Sequence, residues 1–357
     1  MTTPADFTLF TEGDALYDAM IASIESARRS VWIESYIFAD DEVGRRVADV
    51  LGVAAGRGCD VRLHVDAAGS LFWFSRKLER GLARDGVRVR WFHRWQWREP
   101  WRYGRRNHRK LLVIDGREAY LGGFNIHRDN SLRLCGATRW RDTHVRMRGT
   151  LAADGAALFD AFWNGKRRWH PPYDPNGDGA LLTSHSKEGR FTLRRFYSTL
   201  IDSARNTLYL TTPYFVPDRV TQEGLIVAAK RGVDARLLVP GKSDVRLARW
   251  AARASYAKLL QAGVRIFEYR PRVLHAKTAV ADGSWATIGT ANLDYRSFFL
   301  NYELNLATRD RALCAQLTAQ FHDDLADAVE IEPRGWENRP WTDHVSEAVG
   351  WVARRWL

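Results

Sequence analysis

Cysteine is scarce. There are three in 357 residues, Cys59, Cys135 and Cys314, far apart and odd in number. No C-x-x-C pair occurs, so neither a disulfide framework nor a zinc knuckle is indicated, and reduced, mostly buried thiols of a cytosolic protein are the expectation. Long apolar runs are missing too. None reaches the roughly 18 residues that a membrane-spanning helix needs. The first ten residues carry Asp6 and no basic stretch ahead of an apolar one, so no signal peptide is expected. Acidic residues are the minority charge, 42 against 54 Lys and Arg, for a net charge of +12 and a pI of about 9.8. A surface of that sign attracts polyanions, either nucleic acid or an anionic membrane leaflet, and charge alone does not choose between them. What is present is apolar content of 45%, enough for one large core or two ordinary ones. Fifteen tryptophans add a hint of a lipid–water boundary, where an apolar ring with one N–H sits well.

The chain repeats itself once. Ile24-Glu25-Ser26-Ala27-Arg28 before Val31-Trp32-Ile33 is echoed by Ile201-Asp202-Ser203-Ala204-Arg205 before Leu208-Tyr209-Leu210. Arg57 to Arg62 is echoed by Arg231 to Arg236, Gly86-Val87-Arg88-Val89 by Gly263-Val264-Arg265-Ile266, and His108 to Asn125 by His275 to Asn292. Four matched blocks in one order predict two similar units in which strands alternate with helices. The first unit is expected over residues 1–170, a linker over 171–190 and the second unit over 191–357. His170 to Gly179 is dense in turn formers and reads as loop. Its Asp174, Asn176 and Asp178 mimic the start of a calcium loop, but the proline at the second position and the missing glutamate argue against one.

The last block carries the chemistry. His108-Arg109-Lys110 is followed by four residues, Asp115, six residues and Gly122-Gly123-Phe124-Asn125. His275-Ala276-Lys277 is followed at identical spacing by Asp282 and then Gly289-Thr290-Ala291-Asn292. On a strand, His and Lys two apart share a face. The apolar residues after them suit a strand buried on both faces, Asp-Gly makes the next turn, and the glycines let backbone approach a ligand. Side by side, two such strands offer two His, two Lys and two Asn. Ammonium groups and amides can hold the oxygens of a phosphate while one imidazole attacks in line and the other protonates the leaving alkoxide. No metal or cofactor is required.

These motifs resemble the phospholipase D superfamily, whose signature is a pair of H-x-K-x4-D motifs each followed by a glycine-rich G-x-x-N-like segment. The resemblance runs over almost the whole chain. It is closest to bacterial cardiolipin synthases of the type without N-terminal transmembrane helices, through Glu34 to Phe38, Asn107 to Lys110, Gly122 to Ile126, Trp140 to His144, Thr212 to Pro217 and Asn301 to Asn305. It implies an α/β fold of two pseudo-symmetric halves, each a mixed sheet flanked by helices, with the active site at their interface. It further implies a phosphohistidine intermediate, with His108 as nucleophile and His275 as general acid. Lys110, Lys277, Asn125 and Asn292 would hold the phosphate, and Asp142 and Glu303 would each bond the opposite imidazole. Asp115 and Asp282 complete the motif, with ordering the turn beneath it as their expected task.

The resemblance implies phosphatidyl transfer between phosphatidylglycerol molecules, giving cardiolipin and glycerol. A phospholipase D hydrolase and a superfamily nuclease are the alternatives, and the sequence leaves the second substrate open among phosphatidylglycerol, phosphatidylethanolamine, free glycerol and water. The segment Trp91 to Arg109 fits a lipid, with nucleic-acid stacking and plain core or loop packing as the alternatives. Trp91, Trp95, Trp97 and Trp101 stand among Arg94, Arg98, Arg102, Arg105 and Arg106, beside Phe72-Trp73-Phe74. Phospholipids and an anionic membrane surface are thus the expected partners, rather than nucleic acid, for a monomer peripheral to the cytoplasmic face of the inner membrane. A last helical pattern, Trp341, Val345, Val349, Val352 and Trp356 with Arg354 and Arg355 beside it, is expected to pack on the body, with a membrane-surface helix as the alternative.

Overall fold

A computed structural model of the chain describes residues 6–99, 103–166, 179–243, 245–337 and 339–353. The first sheet has seven strands, β1 (Phe7–Phe10), β2 (Ser30–Ser35), β3 (Asp60–Asp66), β4 (Arg88–Phe92), β5 (Leu111–Ile114), β6 (Glu118–Gly122) and β7 (His144–Arg148), in the order β1-β7-β6-β5-β2-β3-β4. β2, β3 and β4 are parallel, with helices Glu42–Gly56 and Arg76–Arg84 as the crossovers that parallel neighbours require. The other pairs are antiparallel.

The second sheet has eight strands, β8 (Gly179–Thr183), β9 (Thr207–Thr211), β10 (Asp234–Pro240), β11 (Arg265–Tyr269), β12 (Thr278–Ala281), β13 (Trp285–Gly289), β14 (Leu304–Thr308) and β15 (Ala328–Glu330). Its order β15-β11-β10-β9-β12-β13-β14-β8 reproduces the first, with β8 in the place of β1 and β15 added at the far edge. The expected pair of mixed sheets flanked by helices is present. The expected linker is not linker where it is described. Gly179–Thr183 is a sheet strand, and helix Lys187–Ser203 follows at once, with the Ser186 hydroxyl accepting from the Gly189 N–H at 3.0 Å. The turn formers before Gly179 mask a strand only five residues long. The calcium-like residues Asp174, Asn176 and Asp178 lie outside the described residues.

Burial on both faces explains the apolar run after each Lys. Leu112 and Ile114 enter the core beneath helices Gly13–Ser26 and Glu42–Gly56. Leu111 and Val113 point the other way, into a core shared by the two halves that also contains Val145, Leu158 and Phe159 from one and Val280, Ile288 and Leu306 from the other. The sheets therefore meet face to face through apolar contact, which is the dominant force available to hold two halves of one chain together. β5 and β12 begin only at Leu111 and Thr278, so His108, Lys110, His275 and Lys277 stand on the chain leading into these strands rather than inside them.

The helix Trp341–Ala353 packs on helix Arg246–Gln261, as expected, but not by the expected stripe. Gly350 lies against the backbone at Trp250 and Ala251, where a Cβ would come within 2.4 Å of the Ala251 nitrogen. Arg253 pairs with Asp343 and Glu347. Trp341, Val345, Val349 and Val352 face solvent, Trp341 being 74% exposed. A charged side chain with one exposed end can be buried when it has a partner, so hydropathy alone misassigned the inner face. Trp356 lies outside the described residues.

Asp115 and Asp282 begin the hairpin turns after β5 and β12, in the left-handed region at φ 53° and 52°. Such turns favour Asp-Gly. The Asp115 carboxylate accepts the backbone N–H groups of Arg28, Arg29 and Ser30, and Asp282 those of Arg205, Asn206 and Thr207. Burial opposes their ionisation, but these donors outweigh it and both carboxyls titrate below their usual range. Each holds the start of a central strand and stands at the opposite end of its strand from the motif His. Asp115→Ala and Asp282→Ala should each lower the midpoint of thermal unfolding by several degrees and leave turnover at permissive temperature largely intact. Lost turnover with unchanged unfolding would instead give them a chemical role.

Candidate active site

Backbone pairing across the two halves sets the site. The His108 N–H donates to the Tyr302 carbonyl at 2.9 Å, and the Tyr302 N–H to the Arg106 carbonyl at 2.8 Å. In mirror fashion the Arg141 N–H donates to the Val273 carbonyl at 2.8 Å, and the His275 N–H to the Arg141 carbonyl at 2.7 Å. Each histidine-bearing segment is thus paired with the residue just before the other half's acidic residue. The side chains follow. His108 Nδ1 lies 2.9 Å from Glu303 Oε2, and His275 Nδ1 lies 2.6 Å from Asp142 Oδ2. A carboxylate accepts, so Nδ1 carries the proton in the His108 ring and Nε2 is left for chemistry, whereas His275 Nδ1 has Lys277 Nζ at 2.9 Å as well as Asp142 beside it.

Both carboxylates are fully buried and heavily supported. Glu303 also accepts from Thr290 at 2.6 Å, Ser297 at 2.9 Å and Asn301 at 3.2 Å. Asp142 accepts from the Thr143 N–H at 2.8 Å and faces Lys277 Nζ at 3.8 Å. Burial alone would raise both carboxyls. For Asp142 the charges of Lys277 and His275, and for Glu303 the bond and charge of His108, reverse that, and both end below their usual range. The second glycine of the first motif has a reason different from the expected approach of a ligand. A Cβ on Gly123 would sit 1.9 Å from Asp142 Oδ1. The equivalent residue, Thr290, instead spends its hydroxyl on Glu303. One half makes room for a carboxylate close to the backbone, and the other reaches a longer one through a side chain.

The lysines are buried beside the imidazoles. Lys110 Nζ donates to the carbonyl of His108 at 2.9 Å, and Lys277 Nζ to that of His275. Burial, followed by the charge of Lys277, pushes Lys110 down to about 7. Burial also dominates at His108, where it outweighs Glu303 and brings the imidazole down to about 4. At neutral pH His108 is therefore uncharged, with a free Nε2 lone pair.

A cavity of about 380 Å³ takes in His108 and His275, both motif asparagines, and Arg106 and Arg296. Asn125 Oδ1 accepts the Ile37 N–H at 3.1 Å, which leaves its amide donors free to turn toward the cavity. Tyr36 packs edge-on against His108 with ring centres 4.9 Å apart, and Trp140 lies 5.3 Å from His275. The structure thus gathers His108, His275, Asn125, Asn292, Lys110, Lys277, Asp142 and Glu303, and leaves out Asp115 and Asp282. Pattern reading missed Val245 and Ala248, which reach the cavity from around the start of helix Arg246–Gln261, and Arg296, which stands four residues beyond Asn292. Arg296 lies on a five-residue helix capped by Asp294, and that Asp-x-x-Ser cap was its only trace in the sequence. Among the described residues no three His, Cys, Asp or Glu side chains cluster so as to hold a metal ion.

The tryptophan- and arginine-rich segment divides. Trp95 and Trp97 are exposed, with Arg98 over the Trp97 ring at 5.0 Å. Trp91 is instead part-buried and donates to Glu79 at 2.7 Å, and Arg106 is buried against Asp66 at 3.3 Å. Phe72 is 89% exposed and Trp73 partly so, whereas Phe74 is core. Trp101 and Arg102 lie outside the described residues. Among the described residues no helix is long and apolar enough to cross a membrane.

Comparison with known proteins agrees with this architecture. The family described as cardiolipin synthase, PLD-like domain, matches residues 20–138 and 197–325, one stretch in each half. The cardiolipin synthase of Clostridium perfringens (strain SM101 / Type A) is 32% identical over 359 residues, covering 96% of this chain and 75% of that protein. That of Listeria innocua serovar 6a is 34% identical over 364 residues, covering 98% and 75%. The crystal structure of phosphatidylserine synthase from Haemophilus influenzae Rd KW20 shares the fold, with a TM-score of 0.74 at 12% identity over 98% of this chain and 95% of that one. With both halves matched and relatives above 30% identity along nearly its full length, the chain belongs to the cardiolipin synthase, PLD-like domain family and is a phosphatidyltransferase of the phospholipase D type.

Proposed function

We propose that this enzyme transfers a phosphatidyl group from one phosphatidylglycerol to the headgroup hydroxyl of another through a phosphohistidine, yielding cardiolipin and glycerol. The observation that carries the reading is the pair of imidazoles from different halves, each tied at Nδ1 to a buried carboxylate of the opposite half, at one cavity. His108 Nε2 attacks phosphorus while His275 gives a proton to the departing glycerol oxygen. The N–P bond forms as the P–O bond breaks. His275, now neutral, takes the proton of the acceptor hydroxyl, whose oxygen attacks phosphorus and displaces His108. The ammonium groups of Lys110 and Lys277 and the amides of Asn125 and Asn292 stabilise the charge on the non-bridging oxygens. The depressed basicity of His108 supports the nucleophile role, since it needs no deprotonation at neutral pH.

A lipid substrate is supported by what the surface exposes. Phe72, Trp95 and Trp97 from the first half and Trp341, Val345, Val349 and Val352 from the last described helix are solvent-facing on a chain of net charge +12. Apolar anchors on a basic body suit an anionic bilayer surface. We read the protein as peripheral, on the cytoplasmic leaflet of the inner membrane, and as a monomer, because one chain supplies both motifs.

The tests separate lipid from nucleic acid and transfer from hydrolysis. Radiolabelled phosphatidylglycerol vesicles should give cardiolipin in excess of phosphatidic acid, and single-stranded DNA should stay intact. Cleaved DNA with untouched lipid would make the protein a nuclease, and phosphatidic acid as the main product would make it a hydrolase. His108→Ala should abolish the labelled phosphoenzyme. His275→Ala should slow its formation from phosphatidylglycerol but much less from a nitrophenyl ester, whose leaving group needs no proton. The opposite pattern would exchange the two roles. The rate of phosphoenzyme formation should fall with acid only as pH drops through about 4, the value for His108, and not near 6.5. Lys110, at about 7 in the free protein, should be driven back to its charged form by a bound phosphodiester anion. Calorimetry of a diester analogue at pH 8 in buffers of different ionisation enthalpy should therefore show proton uptake, and Lys110→Met should abolish it. Binding without uptake by the unaltered protein would contradict a phosphate contact at Lys110.

A further inference from the structure

A second concavity, of about 1010 Å³, lies beside the reaction cavity and is larger than it. Its apolar wall is Leu71, Phe74, Trp91 and Trp95. Its rim holds the guanidinium groups of Arg76, Arg80 and Arg94 against the single carboxylate of Glu79. Glu79 is already committed, since it pairs with Arg94 at 3.0 Å and accepts from Trp91 at 2.7 Å. Arg76 and Arg80 stand one turn apart on helix Arg76–Arg84, both exposed, with no acidic partner among the described contacts. The rim therefore carries surplus positive charge above an aromatic and aliphatic wall. The partition from the reaction cavity is thin. Tyr103 lines this concavity, Arg106 lines the reaction cavity, and the Arg106 guanidinium sits 4.2 Å over the Tyr103 ring.

This combination selects a ligand. A free phosphate would use the guanidinium groups and leave the apolar wall wet. A neutral lipid would use the wall and leave two cations without a counter-charge. An anionic glycerophospholipid satisfies both, because arginine binds phosphate by paired hydrogen bonds and the wall takes an acyl chain out of water. The exposed Phe72 and Trp97 flank the opening in sequence and would set it at the depth from which a lipid enters. Phosphatidyl transfer also needs a second lipid close to the first, and holding it removes the entropy cost of a bimolecular encounter.

We propose that this concavity is a second lipid site, binding one anionic glycerophospholipid with its phosphate on Arg76 and Arg80 and a chain along Leu71, Phe74 and Trp95, and that it holds the acceptor for the neighbouring reaction cavity. The assignment as acceptor site rests on the transfer reading above, whereas the binding itself does not. The first test therefore needs no turnover. Dihexanoyl phosphatidylglycerol carrying bromine on its chains, kept below its micelle concentration, should quench tryptophan fluorescence, and Trp95→Phe with Trp91→Phe should remove most of that quenching. Arg76→Ala/Arg80→Ala should weaken the binding roughly tenfold, as expected for two lost charge-assisted contacts, with the thermal unfolding midpoint unchanged. The brominated phosphatidylcholine analogue should bind as weakly to the unaltered protein as the anionic lipid does to this variant. Equal quenching in protein and double variant, displacement of the lipid by inorganic phosphate alone, or displacement by a short oligothymidylate would each overturn the site. The second test is kinetic. The double variant should raise the acceptor concentration for half-maximal transfer by a similar factor and leave the rate of phosphoenzyme formation from the donor unchanged. Donor and acceptor steps falling together would overturn the acceptor assignment while leaving the lipid site standing. If no transfer occurs with either protein, only the reaction reading fails, and the quenching result still decides the site.

Discussion

The molecule depends on a reciprocal grip. Each half presents a histidine whose backbone is paired with the other half's chain one residue before the carboxylate that holds its ring. Backbone hydrogen bonds have narrow geometry, so pairing of main chain next to the acidic residue fixes the imidazole more tightly than side-chain contact alone would. Neither half contains a complete site. Isolated from its partner, the first half would expose the shared apolar face of β5, β6 and β7 and leave His108 without its carboxylate. Duplication and function are therefore one constraint, since two copies of a unit become useful only when their inner faces meet.

Burial then does much of the electrostatic work. Two carboxylates, two lysines and two histidines are nearly sealed from water around a cavity of modest size. Such a group is tolerable only if every charge has an opposite neighbour or hydrogen-bond donors, and here each carboxylate has both. The same desolvation keeps His108 neutral and weakens the hold of Lys110 on its proton. Outer supports follow the same rule. Arg141 is clamped to Asp324 by two contacts at 2.8 Å, and Arg109 to Glu34 at 2.8 Å beneath the Phe162 ring. These buried arginines stiffen the segments on which the histidines ride.

Much was legible in the chain itself. The paired motifs, their equal spacing and the ordered blocks around them gave the number of units, the alternation of strand and helix, and the residues at the centre of the site. The resemblance supplied Asp142 and Glu303, which lie far from the histidines in sequence. What could not be read was orientation. The apolar stripe at Trp341, Val345, Val349 and Val352 looked like an inward face, but the helix seats itself on Gly350 and on ion pairs of Arg253. Arg106 read as one more surface cation, but Asp66 draws it inside. Gly123 looked like an opening for ligand and is an opening for Asp142.

Readable along the chain were the candidate site residues, the runs that become buried strands and the Asp-Gly turns. These follow from side-chain type and spacing over a few residues, which act before the chain is folded. Folding alone settled which cations are spent on internal partners, which face of the last helix turns inward, and that Arg296 and the concavity behind Tyr103 adjoin the site. Those outcomes depend on apolar faces from opposite ends of the chain finding each other. Burial and ion pairing between remote segments have no period along the sequence for a reader to detect.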